Sequence, residues 1–204
     1  MFDDHQVPIG WRIWQLRGGD LWSWVMDTVW RPSGGPAKCL VAQAPGSCPD
    51  PPGRGCRCGF WALWEPLDCL LRARTENMCG MMGVGARTRP VVGLMQGWGD
   101  VAVHDGEGFR AQYARVLCLF SDRVWDRELE HLVGLRWWQR LTSFPTLRVP
   151  GRKDDLDPDL ARVADRYNVP LVRLGDSVRL GLLGEFGVPE RVLEPMRSRL
   201  ERSP

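Results

Sequence analysis

The sequence predicts an α+β protein, in which a tryptophan-rich antiparallel β domain with a cysteine-rich loop is followed by a small helical C-terminal segment. Three observations predict this class. Short β-prone runs between glycine turns occupy the first part of the chain, helix start signals occupy the last part, and all 11 Trp and seven Cys precede residue 142. We therefore assign residues 1–141 to the β-rich domain, 142–153 to a linker and 154–204 to a helical subdomain.

The first predicted element is a β-hairpin over residues 10–30. Arg17-Gly18-Gly19-Asp20 is a turn signal between two β-prone runs. If the second run is a strand, its side chains of equal parity share one face, and the apolar ones form either core or a binding platform. These side chains are Trp22, Trp24, Met26 and Trp30.

The middle of the chain alternates between β-prone and helical patterns. After the cysteine-rich loop, the run CGFWALW begins an ordered element, and PLDCLLRARTEN predicts a short helix that starts at Pro66. Strands are predicted over 90–97 and 100–104, a turn over 105–108, and a returning strand over 109–120. These patterns support the antiparallel β domain.

The remaining elements are predicted to be mostly helical. Helical spacing from Ser121 predicts a helix that Ser121 or Asp122 caps and that runs to about Arg140. Asp157-Pro158 then places a capping carboxylate before a proline at the first helical position. The buried face of that helix is predicted to consist of Leu160, Val163, Ala164 and Tyr167. A short strand at 171–174, a helix over 177–186 and a helix from 189 complete the expected order.

The composition is that of a globular protein. The chain has 204 residues, of which 44% are apolar and 25% charged, and its net charge is +2, so disordered and membrane classes do not fit. Lysine occurs only at positions 38 and 153, and this preference for arginine is typical of high-GC bacterial genomes. The N-terminus lacks the basic and apolar regions of a signal peptide, and no apolar run is long enough to span a bilayer. We therefore expect a bacterial, cytoplasmic protein that does not enter the membrane.

Four cysteines lie within twenty residues of a proline- and glycine-rich stretch, in the run CLVAQAPGSCPDPPGRGCRCG. This loop, residues 31–59, buries too little apolar surface to fold unaided, so a bound metal is the simplest source of order. In a reducing compartment, thiolates supply the four ligands of a structural zinc site. The predicted ligands are Cys39, Cys48, Cys56 and Cys58. Four thiolates leave no open coordination position, so this zinc would hold the fold together and would not catalyse.

The cysteine spacing leaves alternatives open. A Cys-x-Cys pair also occurs in iron–sulfur and thiol-exchange sites, so an iron–sulfur cluster, redox-active thiols and unligated cysteines remain possible. The three other cysteines have leucine and methionine neighbours and are expected to be small buried hydrophobes. They are Cys69, Cys79 and Cys118.

Several motifs between residues 10 and 120 carry a family resemblance. They are Trp30-x-Pro32, Ala37-Lys38-Cys39, Cys56-x-Cys58-Gly59-Phe60-x-Ala62, Gly97-Trp98-Gly99-x-Val101-x-x-His104 and Gly108-Phe109-Arg110-Ala111. This order resembles a family of uncharacterised, actinobacterial-type proteins in which a histidine often stands at the position of Cys48. The resemblance implies that position 48 is a metal ligand, because His and Cys replace each other as zinc ligands. It implies no activity.

Tryptophans and arginines near the cysteine loop suggest a recognition surface. Most of the 11 indoles are expected in the core. Trp61, Trp64 and Trp98, however, lie beside the loop or a glycine-bounded turn, where exposed indoles stack on bases, and His104 and Arg110 flank the next predicted turn. We predict that these five residues bind single-stranded or modified nucleic acid, since a net charge of +2 is too small for a dedicated duplex binder.

Two other functions remain open. The first alternative is an interaction or regulatory adaptor, whose C-terminal helices would bind a partner protein or a second copy of the chain. The second alternative is an enzyme that would use His104 as a general base or would use a redox thiol. No partnered nucleophile or phosphate-binding glycine loop accompanies that histidine, so the sequence favours a binding module over an enzyme.

Overall fold

A computed structural model describes residues 7–39, 48–53, 55–81, 89–122, 127–134 and 157–202. The strands are β1 (Ile9–Arg17), β2 (Asp20–Ser23), β3 (Phe60–Leu63), β4 (Arg89–His104), β5 (Gly108–Phe120) and β6 (Leu171–Val172). The helices are α1 (Pro66–Met81), α2 (Arg127–Leu132), α3 (Pro158–Tyr167), α4 (Leu174–Arg179), α5 (Leu182–Glu185) and α6 (Glu190–Glu201). This order of elements confirms the predicted α+β class.

The six strands form one mostly antiparallel sheet that closes on itself. Its order is β2-β1-β3-β5-β4, and β1 also pairs with β4, so β1, β3, β5 and β4 form a ring of pairings. The short β6 pairs in parallel with the end of β5. Phe109 is fully buried inside this ring, where a side chain at Gly10 or Gly97 would come within 3 Å of its aromatic carbons. Small residues at these two positions therefore let the strands approach closely.

The first hairpin forms as predicted but is shorter. Gly18 and Gly19 both have positive φ, 56° and 82°, which is the backbone that a two-residue type I′ turn requires. The second strand ends at Ser23, whose amide donates to the carbonyl of Thr28 at 2.8 Å and closes a second turn. The prediction of one strand face from Trp22 to Trp30 is therefore wrong, because the chain reverses between them.

The second hairpin is longer than predicted. The two predicted strands at 90–97 and 100–104 are a single strand, β4, with a shift in pairing between Trp98 and Val101. Gly99 lies at this irregularity with a φ of 77°, which an L side chain rarely adopts. The irregularity bends the strand without ending it.

Two hydrophobic cores lie against the sheet. One contains Trp11 and Leu94 from the sheet together with residues of α1, α2, α4 and α6. The other contains Trp14 and Phe109 together with the buried face of α3. The C-terminal helices thus share both cores with the strands. The predicted linker, residues 142–153, lies outside the described residues, and the division into domains stays a prediction.

The C-terminal helices follow their start signals. Asp157 caps α3 by accepting from the amides of Asp159 at 2.8 Å and Leu160 at 3.1 Å, and the four predicted apolar residues of α3 are all buried. Asp122 has a role that the sequence did not predict, since its side chain accepts from the amide of Leu174 at the start of α4. Its predicted capping of the helix after Ser121 concerns residues 123–126, which lie outside the described residues. The helix predicted over 177–186 is two helices, because Gly181 between them has a φ of 72°.

Replacing Asp157 with alanine tests the α3 cap. The change removes two hydrogen bonds to helix amides and an ion pair with Arg89. We expect a loss of about 1–2 kcal/mol in the free energy of unfolding, the usual cost of removing an N-cap side chain. Urea denaturation measures this loss. Asp176→Ala is the matched control, because among the described residues that exposed carboxylate pairs only with Arg179, three positions along α4, and the change should cost less than about 0.5 kcal/mol.

Candidate metal centre

Strand β5 anchors the cysteine loop at both described ends. On the N-terminal side, Pro36 forms a bridge with Tyr113, and the Ala37 amide donates to the carbonyl of Gln112 at 2.7 Å. On the C-terminal side, β3 begins two residues after Cys58, and Phe60 pairs with Ala111. Because both segments lie along the same few residues of β5, the first and last cysteines are brought together by the sheet.

The four predicted cysteines converge. The sulfur atoms of Cys39, Cys48, Cys56 and Cys58 all lie within 4.8 Å of one another. The Cys39 and Cys56 sulfurs are 3.5 Å apart, and the Cys48 and Cys58 sulfurs are 3.0 Å apart. A tetrahedral zinc ion with Zn–S bonds of about 2.3 Å requires sulfur separations of about 3.8 Å. The observed separations bracket this value, so the four thiols fit one metal ion.

Backbone amides point at two of these sulfurs. The Cys48 amide donates to Cys39 Sγ at 3.5 Å, and the Gly53 amide bonds the Cys58 thiol and works to lower its pKa. Gly53 also starts a turn, since its carbonyl accepts from the Cys56 amide at 3.2 Å. Amide hydrogen bonds to sulfur stabilise thiolates and orient them as metal ligands. The turn at 53–56 therefore provides part of the ligand environment.

The thiols are free rather than paired in disulfides. Cys58 is fully buried, and its burial, reinforced by the neighbouring Cys48 thiol, raises its pKa to about 12. Without a metal this thiol is protonated near neutral pH and is a poor nucleophile. A bound cation reverses this balance, because a coordinated thiol loses its proton. The site thus has the chemistry of a metal centre more than that of a redox thiol.

Arg110 connects the loop to the sheet. Its side chain is only 4% exposed, and its Nη1 donates to the carbonyls of Cys58, at 3.0 Å, and Cys56. Its Nε donates to His104 Nε2 at 2.8 Å. The guanidinium also lies 5.4 Å from the centre of the Trp61 ring. One buried cation therefore fixes the backbone of the Cys-x-Cys pair, close to the negative charge that four thiolates would carry.

Three of the five residues predicted to bind a ligand form one cluster beside the cysteines. Trp61 pairs with Arg110 across β3 and β5, and its ring stacks on His104 at 4.8 Å with an angle of 22° between the planes. The indole Nε1 of Trp61 donates to the carbonyl of Arg57 at 3.1 Å. The polar side-chain atoms of Trp61, His104 and Arg110, which the sequence suggested would bind a ligand, therefore form hydrogen bonds within the protein that support the loop.

The two other predicted residues separate. Trp64 is 8% exposed and packs against Phe109, at 5.0 Å between ring centres, so its predicted exposure is wrong. It follows the last residue of β3 directly and belongs to the same hydrophobic core as Phe109. Trp98 is 38% exposed and stacks in parallel on Tyr113 at 5.9 Å, on the long hairpin. Of the three predicted indoles, Trp98 is therefore exposed, Trp61 is half-buried and Trp64 is buried.

Arg12 is a member of this site that sequence reasoning missed. Its Nη1 donates to the Trp61 carbonyl, and its guanidinium lies 4.5 Å from the centre of the Trp30 ring. Burial lowers its pKa to about 9. The sequence feature that could have identified Arg12 is its position between the apolar residues Trp11 and Ile13 of a β-prone run, where a charged side chain requires a specific partner.

Comparison of the chain with protein-family models, curated proteins and solved structures finds no match. No family is therefore identified, and the resemblance of residues 10–120 remains an expectation. No helix in the described part of the chain is both long and apolar enough to cross a bilayer.

Adding one methyl group at Gly53 tests the packing of the cluster. A Cβ there would lie 2.4 Å from Cys48 Cβ and 2.9 Å from its sulfur, so a ligand would have to move. We expect Gly53→Ala to weaken metal binding at least about tenfold, as outer-shell changes at metal sites do. Gly55→Ala is the control, because a Cβ at Gly55 meets nothing within 4 Å. Competition with a chelator measures the metal affinity of both variants. Equal affinities of Gly53→Ala and Gly55→Ala would contradict this account of the packing at Gly53.

Proposed function

We propose that the protein is a binding module whose cysteine loop is ordered by one structural zinc ion. The observation that carries this proposal is the mutual approach of the four cysteine sulfurs within 4.8 Å. They come from a loop that has few apolar residues to bury, whereas both of its ends are attached to one strand. The metal would supply the free energy that orders the segment between these ends.

Zinc suits the geometry better than an iron–sulfur cluster does. A cluster places several iron and sulfide atoms between its cysteine ligands, so the ligand sulfurs must lie farther apart than around a single ion. The four sulfurs, all within 4.8 Å of one another, are too close to enclose a cluster, and small shifts that open the pairs at 3.0 Å and 3.5 Å to about 3.8 Å would fit a single ion. Four thiolates also fill a tetrahedral sphere, which is the pattern of structural zinc sites.

Substitution at position 48 tests the proposal. We expect purified protein to contain one zinc per chain and no iron, measured by elemental analysis. Cys48→His should keep the zinc, since imidazole is an equivalent ligand and the family that the sequence resembles often has histidine at this position. Cys48→Leu removes a ligand and should lose most of the zinc. Iron with inorganic sulfide, or zinc retained in Cys48→Leu, would overturn the assignment.

Single-stranded nucleic acid is the candidate ligand of this module. The supporting observation is Trp98, whose exposed ring is already held parallel to Tyr113 and offers a second face for a base. A fluorescently labelled 12-nucleotide DNA or RNA is the test. Binding should weaken as salt rises and fall several-fold in Trp98→Ala, whereas no binding at low salt would exclude this ligand.

The remaining alternatives stay predictions. An adaptor that binds a second copy of itself through the C-terminal helices predicts a mass that rises with concentration and that no longer does so when the chain is truncated after Pro150. An enzyme at His104 would require an accessible imidazole, but His104 stacks on Trp61 and accepts from Arg110 through Nε2. Those contacts favour a structural role for His104.

A further inference from the structure

A cavity lies outside the cysteine cluster, on the side of β5 that faces α3. Its volume is about 300 Å³, and three short segments line it: 30–32, 115–117 and 167–169. Among the described residues, this stretch of β5 pairs with β4 alone, since the Pro36 bridge lies before it and β6 begins after it. The volume is at the lower end of the range for small-molecule sites.

Two arginines line the cavity without a compensating carboxylate. Arg31 and Arg115 both contribute to its wall, whereas none of the described residues that line it is acidic. Arg115 Nε donates to Gln96 Oε1 at 2.8 Å, which orients the side chain. Neither arginine forms an ion pair within the described part of the chain. Arginines that do form ion pairs there are Arg17, Arg74, Arg89, Arg162, Arg166, Arg179 and Arg197.

The carbonyl end of α3 also adjoins the cavity and contributes negative charge that opposes the two arginines. A helix end carries about half a negative charge. Two of its carbonyls are satisfied, because Asn168 donates to Asp165 and Val169 donates to Ala164, both at 3.0 Å. Two full guanidinium charges exceed the remaining partial charge. Counted over the described residues that line it, the cavity therefore carries a net positive charge.

Part of the wall is apolar, and two of the lining segments are held together. Trp30 is 6% exposed, and Pro32, Val116 and Val169 add further apolar surface. The hydroxyl of Tyr167 donates to the Trp30 carbonyl and so joins two of the three lining segments. A cavity whose wall is apolar near Trp30 and that also holds a pair of arginines suits a ligand with an anionic group and a small apolar part.

We propose that this cavity binds a small organic anion, with Arg31 and Arg115 holding its carboxylate or phosphate group and the walls near Trp30 covering its apolar body. Arginine recognises both anions through paired N–H donors. The site is independent of the cysteine cluster. It gives the module a small-molecule ligand in addition to any macromolecular partner.

Isothermal titration calorimetry of the full chain with three probes tests this proposal. The probes are benzoate, phenyl phosphate and benzyl alcohol, which share an aromatic ring and differ in charge. We expect at least one anion to bind at least about tenfold more tightly than benzyl alcohol. The stronger anion identifies whether carboxylate or phosphate is preferred.

Paired variants locate the binding. Arg31→Gln with Arg115→Gln should weaken anion binding at least about tenfold, while Arg162→Gln with Arg179→Gln, the same charge change elsewhere, should leave it unchanged. All four side chains are exposed, so we expect both double variants to keep the wild-type circular dichroism spectrum. Absence of anion binding, equal binding of benzyl alcohol, or undiminished binding in the first double variant would each overturn the proposal.

Discussion

Cys58→Ser is expected to weaken zinc binding by more than about 100-fold. This is more than the loss of about 10- to 100-fold that follows when a residue contacting a metal ligand is replaced, because here the ligand itself is removed. Cys58 is fully buried and ends the loop directly before β3, so the serine hydroxyl would also be buried with the metal absent. The resulting loss of at least about 3 kcal/mol in stability corresponds to a fall of roughly 6–12 °C in the melting temperature. Calorimetry with and without zinc measures both effects.

Cys118→Ala is the control for this prediction. Cys118 is also fully buried, and burial raises the pKa of its thiol to about 12, but it lies in β5 within a hydrophobic core. The variant loses some packing and should keep one zinc per chain with wild-type affinity. If Cys58→Ser binds zinc as tightly as Cys118→Ala does, Cys58 is not a ligand.

The second large effect is expected for Arg110→Met, which should lower the free energy of unfolding by about 3 kcal/mol or more. It leaves the carbonyls of Cys56 and Cys58 and the Nε2 of His104 without their donor in a buried region. It also removes a positive charge beside four thiolates, so zinc binding should weaken in the same variant. Urea denaturation of the zinc-bound protein measures the loss of stability.

Arg115→Met, on the same strand, is the matched control. Arg115 is exposed, and among the described residues its side chain bonds only the half-buried side chain of Gln96. Its replacement should change stability by less than about 0.5 kcal/mol. Equal effects of the two substitutions would show that Arg110 acts as an ordinary surface charge and does not hold the loop.

Local signals in the sequence predict much of this molecule. The Gly18-Gly19 turn and the Asp157 cap each depend on the backbone preferences of neighbouring residues, and both form as expected. The cysteine set follows from composition, because four thiols in a proline-rich loop have few other roles. These features require no knowledge of how distant segments pair.

The features that sequence reasoning missed arise from contacts between distant residues. Closure of the ring depends on β1 pairing with both β3 and β4, which no local pattern encodes. Burial of Trp64 follows from that closure. Arg110 was assigned to a ligand surface, but its actual partners, the carbonyls at 56 and 58, lie more than fifty residues away in the chain. Register, and with it the neighbours of each side chain, is set by the whole sheet.

X-ray absorption at the zinc edge of the purified protein tests the central claim most directly. A zinc ion bound by Cys39, Cys48, Cys56 and Cys58 predicts four sulfur neighbours at about 2.3 Å and no nitrogen or oxygen neighbour. In Cys48→His the same measurement should show three sulfur atoms and one nitrogen at about 2.0–2.1 Å. Zinc surrounded by oxygen or nitrogen in the wild-type protein, or four cysteines joined in disulfides with no metal, would contradict the account.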